Sequence, residues 1–438
     1  MTQTIKLKNG DLQQCQVETP PEIVSLLWEV ARSHRPEQFG AVLDLGAGDA
    51  RFAYADKSYE RYDGIEVDKN RGARGRKLPF GARVLHADAL AWRKSGYSLA
   101  IGNPPFIRHH NLESHWRERV LKWIEDESDV RLARTANLFV YFLMQALLRT
   151  RDDGLVVQLV PYEWVTRPSA KALRDYIREQ KWDVRVLRFD TDIFPTVLTT
   201  ASITVIDKSA RNDQWTFGRI GADGKQSITR QPSGSRFRVL SYERRQERTY
   251  AQRGLSPGGQ DIFVLTEEQR LHYSLKKGRD VLACATSLRS MPESVEQLGE
   301  SEFDEHFVCA GKPCWLVRSD RDRMSLALKA YLEHVGDSWK RYSTCTVRKQ
   351  WWKYVPHDIP NLLVSSGFVG RGPKVMVNGV HAAAVGSVYG VFTGQRPSAT
   401  SVANALRAFD FRRRVVSHAN NLKKIEVHQL NAVLNMIG

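Results

Sequence analysis

Cysteine is scarce in this chain. There are five in 438 residues, an odd number in a large protein, which excludes a disulfide framework. Long apolar runs are missing as well: no stretch approaches the ~18 residues of a membrane span. Met1–Lys6 carries no apolar secretory core, so the expected location is the cell interior, the cytoplasm. Acidic residues fall short of basic ones, 49 against 65, for a net charge of +16. That excess points to a polyanionic partner, nucleic acid ahead of a membrane surface because no long basic amphipathic helix is evident. The excess is uneven. Residues 236–438 hold 30 Lys and Arg against 19 Asp and Glu, a net of +11, while residues 1–235 hold 35 against 30, a net of +5. A dinucleotide fingerprint would need glycine at position 51, where Arg51 stands, and this disfavours a pyrophosphate cofactor. A zinc site is disfavoured too. Cys309 and Cys314 bracket a short loop, but His306 and Cys345 do not supply the second closely spaced pair, and buried thiols are expected instead.

What is present is a repeated strand-and-tip pattern in a chain long enough for two or three domains. Ala41-Val42-Leu43-Asp44-Leu45 reads as a buried strand, followed by the tight turn Gly46-Ala47-Gly48-Asp49 and a helix opening at Phe52. Tyr62 to Val67 reads as a second strand, with Glu66 at its tip, 22 residues after Asp44. Arg83 to Asp88 is a third, and Asp88 comes 22 residues after Glu66. Tyr97 to Gly102 is a fourth, ended by Asn103-Pro104-Pro105-Phe106. Two prolines cannot continue a sheet ladder, so this strand stops in a rigid turn. Polar or glycine-rich tips at the same end of successive strands are the signature of a parallel, doubly wound α/β sheet, whose ligands bind at that edge. Ahead of the first strand, residues 18–31 read as a helix with Thr19 as N-cap, Pro20 as first helical residue and Glu22 completing a capping box.

Farther along, Asn137–Thr150 forms an apolar helix ended by Asp152-Asp153-Gly154. A central strand follows over Leu155–Pro161, then an amphipathic helix over 169–180. Two strands, Val184–Phe189 and Thr200–Ile206, suggest an antiparallel edge on the sheet. Residues 209–235 are polar and read as a linker or edge ribbon. The stretch Ser241–Arg253 is basic and helical in pattern. Basic and aromatic residues mingle in Arg348-Lys349-Gln350-Trp351-Trp352-Lys353-Tyr354, which suits either a nucleic-acid groove or a tryptophan-anchored core. The glycine-rich loop Gly367–Lys374, with Arg371 and Lys374, is a further candidate for phosphate contact, as is Arg108 just after the proline turn.

In their order, Glu18-Thr19-Pro20-Pro21-Glu22, Asp44-Leu45-Gly46-Ala47-Gly48, Gly64-Ile65-Glu66-Val67-Asp68, Ala87-Asp88-Ala89, Gly102-Asn103-Pro104-Pro105-Phe106, Asn137-Leu138-Phe139 and Ile193-Phe194-Pro195 resemble the gamma-class adenine-N6 DNA methyltransferases. Within that class the likeness is to the two-domain Taq-type restriction–modification enzymes. The resemblance covers residues 15–208 well and continues faintly through 305–390 and into the C-terminus. It implies a Rossmann-like methyltransferase domain over 1–235, with 209–235 as linker, and a mixed α/β target-recognition domain over 236–438. The implied cofactor is S-adenosylmethionine. Thr19 and Pro20 would lie beside its amino-acid end, Asp44, Gly46 and Gly48 along its methionine moiety, Glu66 at the ribose with Val67 packing on the adenine, and Asp88 and Ala89 at the adenine amino group and ring edge. Phe194 would stack on a flipped base. The implied partner is double-stranded DNA, with a separate cognate restriction endonuclease and a monomeric enzyme as the family expectation. One departure stands out, since Ser98 occupies a strand position where the family usually carries an acid.

The chemistry can be read without the family. An adenine amino group is a poor nucleophile because its lone pair is delocalised into the ring. The Asn103 side-chain oxygen and the Pro104 carbonyl can each accept one amino hydrogen, which favours a more tetrahedral nitrogen and stabilises the positive charge that develops there. Phe106 can stack on the base. No metal and no covalent intermediate are called for. Other readings stay open from sequence: the same chemistry on ribosomal RNA or a protein glutamine, or an inactive DNA-binding module.

Overall fold

The structure is a computed structural model that describes residues 18–71, 77–190, 200–221 and 224–229, and from 240 onward all but 241, 242, 244, 246, 247, 395, 413, 416, 420, 421 and 438. Phe194, expected at the site, lies outside the described residues, as do Ile193 and Pro195. The chain divides into two compact units: Met1–Arg236 with Val416–Asn421, and Phe237–Val415 with Leu422–Gly438.

The first unit opens with α1, Pro21–His34. Its N-cap is Pro20, one residue later than expected, and no side chain caps it. Pro21 takes the first helical position, where a missing N–H costs nothing, and the Thr19 hydroxyl is left for another use. Ile23, Val24, Leu27, Trp28, Val30 and Ala31 are buried, an apolar stripe of helical period. They join Val42, Leu99 and Leu155 in one buried cluster.

The sheet follows the chain as β1 (Phe39–Leu45), α2 (Arg51–Ala55), β2 (Tyr59–Glu66), β3 (Ala82–His86), β4 (Tyr97–Gly102), α3 (Ser114–Ser128), α4 (Leu138–Arg149), β5 (Thr150–Pro161), α5 (Lys171–Glu179), β6 (Asp183–Phe189), β7 (Ala201–Asp207), β8 (Trp215–Ile220) and β9 (Gln226–Thr229). Nine strands lie in the order β3-β2-β1-β4-β5-β7-β6-β8-β9. The first five are parallel. The strand β7 then runs antiparallel to both β5 and β6, the antiparallel edge that the closely spaced last strands suggest. From β1 the chain winds out to β2 and β3 on one side and returns to β4 and β5 on the other. The strand order reverses between β1 and β4, and in such folds the crevice for a ligand opens at that point.

Of the two readings of 209–235, linker or edge ribbon, the described residues take the second: β8 pairs in parallel with β6 and β9 turns back along β8, with residues 226–228 of β9 exposed. One expectation is corrected here. Asp152–Gly154 falls inside β5 rather than in a helix-ending loop. Gly154 is needed there, since a Cβ would stand 2.4 Å from the Thr150 side chain and 3.1 Å from the carbonyls of Tyr97 and Ser98.

The second unit holds a five-stranded sheet in the order Tyr250–Gln252, Val388–Phe392, Leu362–Ser365, Val375–Asn378 and Gln297–Leu298. It also holds a four-stranded sheet built around Trp315–Val317 and Val281–Ala285. Within the stretch 241–253, helical in pattern, the described residues Tyr250–Gln252 form a strand, because pairing with Val388–Phe392 and stacking of Tyr250 on Phe392 at 5.0 Å outweigh the local pattern. Among the described residues no helix is long and apolar enough to cross a membrane.

Candidate active site

A cleft with about 1000 Å³ of empty space, part of it open to solvent, lies over the ends of β1, β2 and β4. Its floor is the turn after β1. Gly46 and Gly48 adopt φ of 84° and 56°, a region that glycine enters without steric cost. The turn is laced to the neighbouring strand: Gly46 and Ala47 both donate to the Ile65 carbonyl, at 2.8 and 3.1 Å. Gly64 makes this approach feasible, since a Cβ there would stand 2.8 Å from that of Ala47.

Glu66 ends β2, nearly buried. One carboxylate oxygen accepts the Gly48 N–H at 2.8 Å and the other the Asp68 N–H at 2.8 Å. The carboxylate is thus held by main chain and lines the cleft with acceptor capacity left on each oxygen. Val67 and Ala89 also line it. Asp88 stands just behind. Its Oδ1 accepts from the Leu90 N–H at 2.9 Å and caps the short turn Ala89–Ala91, its Oδ2 has no hydrogen-bond partner, and burial pushes its carboxyl above the usual range.

Asp44 does not line the cleft as expected. It lies beneath the floor, 1% exposed, where the Tyr62 hydroxyl donates to its Oδ2 at 2.5 Å and its Oδ1 has no partner. Burial pushes its carboxyl up to about 7; the Tyr62 hydrogen bond opposes this and the Glu66 charge adds to it. The unpartnered oxygen faces Gly102, where a Cβ would sit 2.4 Å away. Gly102→Ala is therefore expected to destabilise the protein by about 1–3 kcal/mol through overpacking. A lowered melting temperature would register it, and an unchanged one would show that Asp44 moves aside freely.

The second wall is the turn after β4. Asn103 donates from Nδ2 to the Thr19 hydroxyl oxygen at 3.0 Å, and its Oδ1 is buried without a partner. Pro104 and Pro105 carry the chain along the cleft to Phe106, whose ring meets Phe139 edge-on at 6.4 Å. Asn137 holds the next segment: its Oδ1 accepts the His109 N–H at 3.1 Å and its Nδ2 donates to Glu163 at 2.8 Å. It stands at the N-cap of α4 without capping it through its side chain. Ser98 replaces an acid with a stitch. It donates to the Ala41 carbonyl at 2.9 Å and accepts the Ala41 N–H at 3.2 Å, tying β4 to β1.

One cleft thus gathers Thr19, Gly46, Gly48, Glu66, Val67, Ala89 and Asn103 to Phe106. Pro20, Asp44 and Asp88 stay outside its wall. Residues that sequence reasoning passed over also line it: Glu18, Asp49, Arg51, Arg71 and Phe142. Arg51 grips Asp49 through two bonds of 2.8 Å, pairs with Glu18 at 3.0 Å and donates to the Thr19 carbonyl. The available signal was Arg51 itself, a charged residue standing where the dinucleotide pattern demands glycine. The Arg71 guanidinium lies over Gly48, 3.8 Å from where a Cβ would be.

The candidate phosphate contacts divide. Arg108 and Lys349 are exposed. Arg371 is exposed but donates to the Ala408 carbonyl at 2.8 Å. Arg348 donates to the Pro257 carbonyl at 2.5 Å. Lys374 donates to the carbonyls of Arg289, at 2.9 Å, and Met291. These last two also tie main chain together. The tryptophan pair belongs to the core alternative: Trp351 stacks on Trp339 at 5.7 Å and 2°, and both Trp351 and Trp352 pack on a buried cluster. Cys314 and Cys345 are buried and Cys309 is exposed, all as free thiols. Among the described residues no group of three or more His, Cys, Asp or Glu could hold a metal ion.

Two family models match. Residues 52–194 match the Eco57I restriction-modification methylase, and residues 241–408 match the C-terminal domain of the type II methyltransferase M.Eco57I. The chain is 26% identical over 129 residues to type II methyltransferase M.AccI of Acinetobacter calcoaceticus, covering 29% of this chain and 23% of the relative. It is 26% identical over 188 residues to type II methyltransferase M.TthHB8I of Thermus thermophilus, covering 41% and 42%. The chain therefore spans less than half the length of these relatives. Among solved structures, the type IIG restriction endonuclease BpuSI is similar with a TM-score of 0.45 and 12% identity, over 96% of this chain and 59% of that one.

Proposed function

We propose that this chain, which matches the Eco57I restriction-modification methylase over residues 52–194, transfers a methyl group from S-adenosylmethionine to the N6 amino group of a flipped-out adenine in double-stranded DNA. The observation that carries the reading is the Asn103 amide. Its oxygen is buried and unpartnered, and it sits beside the Pro104 turn in the same cleft as the glycine turn and Glu66.

The residues present suit the cofactor. Positive-φ glycines leave room along the floor, Glu66 presents acceptors of the kind that ribose hydroxyls require, and Val67 and Ala89 offer apolar contact. When bound, S-adenosylmethionine supplies an electrophilic methyl group on a sulfonium. The chain's own part is to prepare the nucleophile. Asn103 Oδ1 and the Pro104 carbonyl each accept an amino hydrogen, draw the nitrogen toward tetrahedral geometry and face the charge that grows on it. The proline turn fixes both acceptors in advance, so little reorganisation is needed. Phe106 supports the base against Phe139. Flipping the base out of the duplex costs a few kcal/mol, and contacts with the flanking DNA would compensate. The second unit, matched by the family's C-terminal domain and carrying most of the net positive charge, is the proposed target-reading surface, since readout in the grooves needs its own elements. A monomer, with a cognate endonuclease on a separate chain, completes the proposal.

The test is single-molecule sequencing of DNA from cells expressing the protein, read for N6-methyladenine. Methylation at one short motif is the expected result. Unmodified DNA, together with methyl incorporation into RNA or protein from labelled cofactor, would move the substrate elsewhere.

A further inference from the structure

Thr19 was expected to cap α1 and to lie beside the cofactor. The structure gives its side chain a different partner. Its hydroxyl oxygen, on a residue 4% exposed, accepts from Asn103 Nδ2 at 3.0 Å. Its main chain is anchored from the cofactor side: Arg51 donates to the Thr19 carbonyl while its other nitrogens are held by Asp49 and Glu18. An asparagine amide is nearly symmetric in shape and opposite in polarity at its two ends. One orientation turns an acceptor toward an incoming amino group. The other turns a donor toward it, setting N–H against N–H. Engaging the Nδ2 end leaves Oδ1 as a buried acceptor without a partner, an unsatisfied state that invites a donor from a ligand.

We infer that Thr19 is the positioning residue that fixes the Asn103 amide with its oxygen toward the substrate nitrogen, and that Arg51 holds Thr19 in place from the turn after β1. The inference rests on the methyl-transfer reading and deepens it. It makes Thr19 act through Asn103 rather than on the cofactor. The relay Asp49–Arg51–Thr19–Asn103 joins the turn that would hold the cofactor to the amide that would meet the base.

The experiment compares the wild-type chain with Thr19→Val, which keeps the shape and removes the acceptor, and with Thr19→Ser, which restores it. Three quantities are read: S-adenosylmethionine affinity by calorimetry, the single-turnover methyl-transfer rate at saturating substrates, and the preference for a duplex bearing adenine over one bearing amino-less purine at the target position. For Thr19→Val the expected result is a transfer rate about tenfold lower and loss of the adenine preference, with cofactor affinity held within about a factor of two. Thr19→Ser should recover rate and preference together. If circular dichroism shows Thr19→Val unfolded, Thr19→Ala takes its place under the same criteria. An unchanged rate overturns the inference. So does a loss that tracks weakened cofactor binding, the mark of a direct cofactor contact, or a serine variant no better than valine. Failure of the broader reading would show instead in the wild-type chain, as absence of methyl transfer to DNA.

Discussion

Asn103→Ala is expected to lower the methyl-transfer rate at least about 10²–10³-fold, the usual cost of deleting one preorganised group that stabilises developing charge. The alanine removes the side-chain acceptor of the Asn103–Phe106 turn and, in the proposed mechanism, leaves the Pro104 carbonyl to work alone. It also removes the donor to Thr19, so the hydroxyl loses its partner. The fold should tolerate this, because the turn is held by its prolines and by the Leu138 N–H to Ile107 carbonyl bond at 2.9 Å beyond it. Cofactor affinity by calorimetry and DNA affinity by anisotropy should both stay close to wild type. A variant that turned over at a near-normal rate would remove Asn103 from the mechanism.

Glu66→Ala should act on the other substrate. The Glu66 carboxylate accepts two main-chain N–H groups at 2.8 Å, and each is a hydrogen bond to a charged group worth roughly 1.5–3 kcal/mol. Removing the side chain frees Gly48 from its anchor and takes away the acceptors proposed for ribose. S-adenosylmethionine affinity should fall on the order of a hundredfold, and the transfer rate at saturating cofactor should fall less. Glu66→Gln is the informative companion, since its amide keeps one acceptor and turns a donor toward one of the two N–H groups. If Glu66→Ala bound the cofactor as tightly as wild type, the ribose assignment would fail.

The fold of the first unit was legible because its central strands β4, β5 and β7 are buried on both faces over most of their length, and because the parallel strands end in tips that cannot continue a strand. Leu155–Val160 could hardly be read as anything else, and Asn103-Pro104-Pro105 stops β4 at a fixed residue. Finer features depended on contacts that no local pattern records. Thr19 looked like a cap because a threonine before two prolines usually is one, and its true partner lies 84 residues away in sequence. Asp44 looked like a lining residue because it precedes the glycine turn. Strand alternation turns it under the floor instead, against Tyr62 and Gly102. The Arg51 cluster was missed because its three partners, Glu18, Thr19 and Asp49, come from both sides of β1. In the second unit, Arg348 and Lys374 are basic by composition but also donate to main-chain carbonyls, contacts that only tertiary packing reveals.

The parallel register of β1 and β4 pairs Val42 with Leu99 and Leu43 with Ala100. Both strands run out into the turns that carry the site, so this alignment sets the first measure of how far the glycine turn stands from Asn103. A slip of two residues, the smallest that keeps every side chain on its own face, would offset the two turns by about 6.6 Å. That is more than any hydrogen bond across the cleft could span. The distance that matters to the chemistry is therefore stored as a backbone alignment rather than in particular side chains.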